Sequence, residues 1–220
     1  KKFSFQNKLL LPKLALYHYK LMKSLNYKVA TSSGLDTISH AFESIWNKFA
    51  DPVSINLSTQ SLSLSLKSIR NYVNGKSSDY ALKNMQLACI LAALAIARTK
   101  TGIAHSISYP LTYIYKIPHG IASSFVLPEV LLFNAEKDDG RLKKLITDLK
   151  YPSIHDLFNE LNNLRNELLP KLEIFQTLKE IDIDYIEKKL ITPERAKLNF
   201  INVNKIDARK MVENAIERIS

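Results

Sequence analysis

The sequence predicts an all-α fold, a helical bundle, and three observations carry that reading. Only five glycines occur in 220 residues, a scarcity that long helices tolerate better than a hairpin-rich β fold does. Apolar residues recur at helical spacing along most of the chain, alternating with charged residues toward its C-terminal end. Two helix starts are written as cap signals: Asp51-Pro52, an N-cap followed by proline at the first helical position, and Ser78-Asp79. With 46% hydrophobic residues the chain can bury a real core.

The elements follow in order. The apolar segment 9–19 holds Pro12, and a short strand is expected near 14–17. A helix is expected over about 37–49. The helix opened by Asp51-Pro52 carries Leu57, Leu62, Leu64 and Ile69 and should stop near Gly75. Ser78-Asp79 opens a helix through Ala97, with Ala88, Leu91, Ala92 and Ala95 in an apolar surface that runs nearly all round, the mark of a central bundle helix. A further helix around His105 should end before Pro110 or bend there. After Pro118-His119-Gly120 an apolar segment leads to Pro128 and Asn134. Helical spacing returns in 142–149, 154–168, 172–178, 185–190 and 208–219, punctuated by Pro152, Pro170 and Pro193. No repeat, low-complexity tract or Gly/Ser linker interrupts it.

The single cysteine, Cys89, excludes an internal disulfide and is expected to be a buried, inert thiol. That fits a reducing, cytoplasmic compartment. The longest apolar run, 88–97, is too short to span a bilayer, and no signal peptide is expected. The chain begins at Lys1 instead of Met, as a fragment would. Its formal charge is +10. The lysines are scattered and few aromatics interleave with them, so solvated surface charge is the reading, not a nucleic-acid face. A positive field of this kind would also attract small anionic substrates.

Chemistry enters with the histidines. Three of the five sit with Asp36 in two short segments, Asp36-Thr-Ile-Ser-His40 and His105 to His119. On a helix, Asp36 and His40 share one face, one turn apart. His105 and His119 are too far apart for one face, but Pro118 fixes the backbone before His119 and Gly120 lets the chain turn closely after it. Three nitrogens and a carboxylate suit Fe(II), Zn(II), Co(II) or Ni(II) better than Mg or Ca. An isolated Asp-x3-His is also common without any metal.

The neighbours of these residues carry a resemblance. The segments Thr31-Ser-Ser-Gly34-Leu-Asp36-Thr-Ile-Ser-His40-Ala-Phe-Glu43-Ser, Gly102-Ile-Ala-His105-Ser-Ile-Ser-Tyr109-Pro110-Leu111, Ile117-Pro118-His119-Gly120-Ile-Ala and Leu127-Pro128 … Phe133-Asn134 resemble the iron-containing (group III) alcohol dehydrogenase family. The match is strong over 27–134 and faint beyond. It implies the helical C-terminal domain of that family, a dehydroquinate synthase-like α domain. It also implies Asp36, His40, His105 and His119 as ligands of Fe(II) or Zn(II). The chemistry implied is reduction of a small aldehyde by hydride from NAD(P)H, with the metal polarising the carbonyl. The family's nucleotide domain has a Gly-rich phosphate loop; the glycines here, at 34, 75, 102, 120 and 140, never cluster. Residues 1–26 are therefore expected to be a junction from a missing N-terminal NAD(P)-binding domain, and 27–220 the metal-binding catalytic domain. A homodimer is also expected, and neither nucleic acid nor membrane as a partner.

Two departures stand out. Many family members carry a second histidine where Tyr109 stands, so that histidine's proton-relay role does not carry over, although Tyr109 could supply a hydroxyl. His18 stands where an Asp-Pro pair is frequent. The wording Arg98-Thr-Lys-Thr-Gly-Ile-Ala-His105-Ser-Ile-Ser-Tyr-Pro-Leu-Thr, with Ser44-Ile-Trp-Asn47 and Asp51-Pro-Val-Ser54, looks most like the phosphonoacetaldehyde reductase branch. Arg98 would lie two turns before His105 on one face if the helix were unbroken, where its guanidinium could meet a phosphonate. Otherwise it only caps the long apolar helix. Two other readings compete. His155-Asp156 is the dipeptide of His-Asp metal phosphohydrolases, and a basic helical binding module would need no catalysis.

Overall fold

A computed structural model of the chain describes residues 8–10, 12–74 and 78–219. Among them every regular element is helical, and β pairing is limited to an isolated antiparallel bridge between Asn47 and Asn199. The strand expected at 14–17 does not form; these residues are irregular and exposed. A strand there would have no partner for its backbone groups, and β-forming side chains cannot hold one alone.

Helix α1 spans Tyr27–Ile45, and the Asn26 side chain caps it by accepting from the Val29 N–H at 2.9 Å. It begins and ends well before the expected 37–49. Thr31-Ser32-Ser33-Gly34 is poor in helix formers, and burial overrides that weakness. Ala30, Thr31, Gly34 and Leu35 face the interior, and a Cβ at Gly34 would come within 3.1 Å of Ile69 Cδ1.

Helix α2 (Pro52–Val73) opens on the expected cap, completed as a capping box: Asp51 Oδ1 accepts from Ser54 N at 2.7 Å, and Asp51 N donates to Ser54 Oγ at 2.9 Å. Its expected stop, Gly75, lies outside the described residues. Ser54, Ser58, Ser61, Ser65 and Ser68 form a buried stripe of small side chains, and Ser61 Oγ donates to Ala88 O at 2.8 Å. Helix α3 (Asp79–Thr99) starts at its Ser78 cap. Its apolar surface is not buried all round. Ala81, Ala88, Ala92 and Ala95 are buried where α1 and α2 pack, while Leu87, Leu94 and the supposedly buried Cys89 are exposed on other faces. Its 21 residues are long and apolar enough to cross a membrane by length and composition; here its inner face packs in the bundle.

Helix α4 (Ile103–Tyr115) runs through Pro110 instead of stopping there. The proline costs about 3 kcal/mol, and the buried face of Ile103, Ile107, Pro110 and Leu111 outweighs it. Then come α5 (His119–Phe125), α6 (Leu127–Ala135), α7 (Arg141–Leu149), α8 (Ile154–Leu168), α9 (Phe175–Lys179), α10 (Ile183–Ile186), α11 (Pro193–Ala196) and α12 (Lys205–Glu217). The segments 172–178 and 185–190 form only short turns of helix, since they bury little beyond Leu172, Leu178, Ile186 and Leu190.

Helix α1 is central, packed against α2, α3 and α5. Its Phe42 and the Trp46 that caps its C-terminal end are fully buried, with ring centroids 5.3 Å apart. A buried ion pair ties α6 to α8: Arg165 donates to Glu129 at 3.0 and 3.2 Å and to Phe125 O at 2.7 Å. Removing the guanidinium would leave the buried Glu129 carboxylate with only the longer contact to Arg218 Nε at 3.5 Å. Arg165→Met is expected to lose ~3–5 kcal/mol of stability in chemical denaturation; a loss under 1 kcal/mol would show that the pair does not hold these helices.

Candidate metal centre

Asp36 and His40, one turn apart on α1, project from one face. His40 Nε2 lies 3.7 Å from Asp36 Oδ2. His105, in the first turn of α4, places Nε2 3.6 Å from Asp36 Oδ1. The His40 and His105 rings lie nearly parallel, 4.8 Å between centroids. His119 opens α5 and stands edge-on to His105, with centroids 5.1 Å apart. Ligand atoms of Asp36, His40 and His105 all lie within 4.8 Å of one another.

The return of His119 depends on the turn after α4, not on a helix end at Pro110. Lys116 adopts the left-handed conformation, φ 58°, and Ile117 N donates back to Leu111 O at 3.3 Å. Gly120 then lets α5 meet α1. A Cβ there would sit 1.9 Å from Ser32 O and 2.8 Å from Asp36 Cβ. Any side chain at 120 would force the two helices apart. Across this contact Ser123 Oγ donates to Asp36 Oδ1 at 2.9 Å, and Ser39 Oγ to Ser123 O at 3.1 Å.

Glu43 is the functional residue that sequence reasoning missed. It lies within the matching segment, yet nothing in its own type marks it except that a carboxylate interrupts the buried run 41–46. It is fully buried. One oxygen accepts from Gly102 N at 2.8 Å and faces His105 Nδ1 at 2.6 Å; the other accepts from Ala104 N at 2.6 Å. The carboxylate thus caps the start of α4 and holds the far side of His105. With Nδ1–H held by Glu43, Nε2 is the nitrogen left facing Asp36, and it becomes a ligand once it gives up its proton.

The charges balance within the cluster. Burial alone would raise the Asp36 carboxyl, but His105, His40 and His119 outweigh it and hold it well below the usual range. Burial lowers His40 against the pull of Asp36. Burial opposes the charge of His105 too, yet Glu43 and Asp36 hold it up at about 9. Burial raises Glu43, and His105 with the two backbone donors brings it below its ordinary value.

These residues fit a divalent metal. His105 Nε2 is buried without a hydrogen-bond partner. The two imidazole–carboxylate separations, 3.6 and 3.7 Å, are long for hydrogen bonds. They are close to the ~3.4 Å between two ligands about 2.1 Å from a tetrahedral ion. A depression of about 350 Å³, lined by Lys28, Ser32, Asp36, Pro118 and His119 among others, opens onto the cluster.

Tyr109, one turn after His105, lines a neighbouring cleft, beneath the Arg195 guanidinium at 5.4 Å. Arg98 does not share a helical face with His105. Lys100, at φ 68°, ends α3 before α4 begins. The Arg98 guanidinium instead pairs with Asp51, the cap of α2. His155 and Asp156 are exposed at the start of α8, where Asp156 bonds Ser153; among the described residues they join no group of metal-ligating side chains.

The sequence profile of the Fe-containing alcohol dehydrogenase family, C-terminal part, matches residues 30–218. The chain belongs to that family. It is similar to the NADPH-dependent butanol dehydrogenase of Clostridium saccharobutylicum, 27% identical over 92% of this chain and 54% of that protein. It is also similar to the sulfoacetaldehyde reductase of Bilophila wadsworthia, 36% identical over 49% of this chain and 28% of that protein. In fold it matches the sulfoacetaldehyde reductase of Bifidobacterium kashiwanohense solved with NAD+, with TM-score 0.79 and 22% identity over 90% of this chain and 53% of that one. The iron-containing alcohol dehydrogenase of Thermococcus thioreducens gives TM-score 0.77 and 22% identity, with the same coverage of each chain. The chain spans about half the length of the butanol dehydrogenase and of the two solved structures it matches.

A metal entering this site must displace the proton that His105 keeps up to about pH 9. Apparent Zn(II) affinity is therefore expected to rise with pH and level off above about 9. Glu43→Gln removes the strongest influence holding that proton, so the plateau should arrive at lower pH, with affinity on the plateau reduced ~10–100-fold. Calorimetric titrations across pH check both; an unchanged pH profile would separate Glu43 from His105.

Proposed function

We propose that the protein is the metal-binding part of an NAD(P)H-dependent alcohol dehydrogenase or aldehyde reductase, with Asp36, His40, His105 and His119 holding Fe(II) or Zn(II). The observation that carries this reading is the grouping of Asp36, His40 and His105, whose ligand atoms all lie within 4.8 Å of one another, with the His119 ring edge-on to His105 at 5.1 Å between centroids. Bound there, the metal would supply Lewis acidity toward the carbonyl oxygen of a small aldehyde.

The chain's own residues prepare that chemistry. Glu43 fixes the tautomer and tilt of His105. Ser123 turns Asp36 toward the histidines. The Tyr109 hydroxyl, one turn beyond His105, is the candidate for delivering a proton to the developing alcohol oxygen. Hydride would come from a nicotinamide held by an N-terminal nucleotide-binding domain. Residues 1–26 suit a junction to it, since Leu14, Leu16, Tyr17 and Leu21 offer exposed apolar side chains. The single cysteine suits a reducing, cytoplasmic setting. Among substrates, the butanol and sulfoacetaldehyde named for the relatives bracket the choice between neutral and anionic short chains.

His119→Ala in the full-length protein is expected to lose most bound metal, measured by elemental analysis, together with aldehyde reduction. Wild-type metal content and turnover in that variant would overturn the ligand assignment. The 220-residue chain alone is expected to bind metal without turning over.

A further inference from the structure

The cleft beside the metal centre holds a charge that the reductase reading leaves without a task. It measures about 830 Å³, and its lining includes Lys100, Thr101, Tyr109, Thr192, Arg195 and Lys197, with Glu194 as the only carboxylate. Positive charge therefore predominates in it. Arg195 is the distinctive member. The chain's other arginines, Arg70, Arg98, Arg141, Arg165, Arg209 and Arg218, each pair with a carboxylate. Among the described residues no carboxylate lies within ion-pair distance of Arg195.

Arg195 is nonetheless held in place. Its Nη1 donates to Thr101 O at 3.0 Å, and its guanidinium lies over the Tyr109 ring at 5.4 Å. The segment that carries it is clamped to α4 next to His105. Ser106 Oγ donates to Leu190 O at 2.9 Å and accepts from Thr192 N at 2.6 Å. On its other side Lys48 N donates to Leu198 O at 2.7 Å. The half-buried guanidinium thus keeps further donors for a ligand. Its position ties the cleft to the metal centre, because the Tyr109 ring beneath it follows His105 by one turn of α4.

We infer that this cleft seats the anionic end of the substrate, a tetrahedral sulfonate or phosphonate on a short aldehyde or alcohol, with Arg195 as its principal partner. A fixed guanidinium fork matches two oxygens of such a group, and Lys100 and Lys197 add a field that favours it. This assignment rests on the reductase reading for the other end of the substrate. It replaces Arg98, which Asp51 engages.

The test uses the metal-loaded, full-length protein. Isethionate and 2-hydroxyethylphosphonate serve as anionic probes and propan-1-ol as the neutral one, with binding followed by calorimetry. Sulfoacetaldehyde and propionaldehyde are then compared as substrates with NAD(P)H. An anionic probe should bind at least ~10-fold more tightly than propan-1-ol, and Arg195→Ala should reduce the anionic-over-neutral ratio of kcat/KM by ~10–100-fold. Arg195→Lys, with the charge kept and the fork lost, should fall between, which separates recognition from misfolding. Equal binding of the anionic and neutral probes, or an unchanged ratio in Arg195→Ala, would overturn the assignment. Arg195-dependent binding of isethionate with no turnover of either aldehyde would support the anion site and overturn the reductase reading. A preference between the sulfonate and the phosphonate probe identifies the headgroup.

Discussion

The site depends on one buried carboxylate. Glu43 sits at the centre of the fold, on the helix that every other long element of the N-terminal half touches. A lone carboxylate in that position would be costly, and it is held by Gly102 N, Ala104 N and His105 Nδ1 together. Each bond has two effects. The backbone donors are the otherwise unsatisfied N–H groups at the start of α4, so Glu43 acts as a cap supplied by another helix. The imidazole bond sets which His105 nitrogen is free. Fold and ligand geometry therefore share one interaction, and a change at 43 acts on both.

The second constraint is distance between helices. α1 meets α2 through Gly34 and α5 through Gly120, with the buried serines of α2 facing α3. The Gly120 contact leaves no room for a Cβ, so the position of His119 is set by backbone approach and not by its own side chain. The cluster then needs only short side chains from three helix segments, each stiffened by neighbours: Ser123 on Asp36, Glu43 on His105, Pro118 before His119.

Much of this was legible in the sequence, for reasons that are local. Asp36 and His40 share a face because of helical spacing, and Pro118-His119-Gly120 announces a fixed entry and a close exit. The caps at Asp51 and Ser78 were readable since capping uses residues three positions apart. What could not be read depends on contacts distant in sequence. Glu43 looks like any helix glutamate until α4 is placed against it. The role of Arg195 emerges only when the chain returns to α4 near Ser106. Arg98 leaves the His105 face because the break at Lys100 uses a positive φ, in a residue type that does not advertise one. The early start of α1 and the exposed faces of α3 depart from the sequence reading, because neither serine content nor apolar content says which neighbours cover a helix.

We propose that Asp36, His40, His105 and His119 bind a single divalent ion together. X-ray absorption at the metal edge of the Zn(II)-loaded protein tests it most directly. One ion per chain is expected, with outer-shell scattering from three imidazoles and first-shell nitrogen and oxygen at ~2.0–2.2 Å. A site with one imidazole or none, or loading well below one ion per chain, would contradict it.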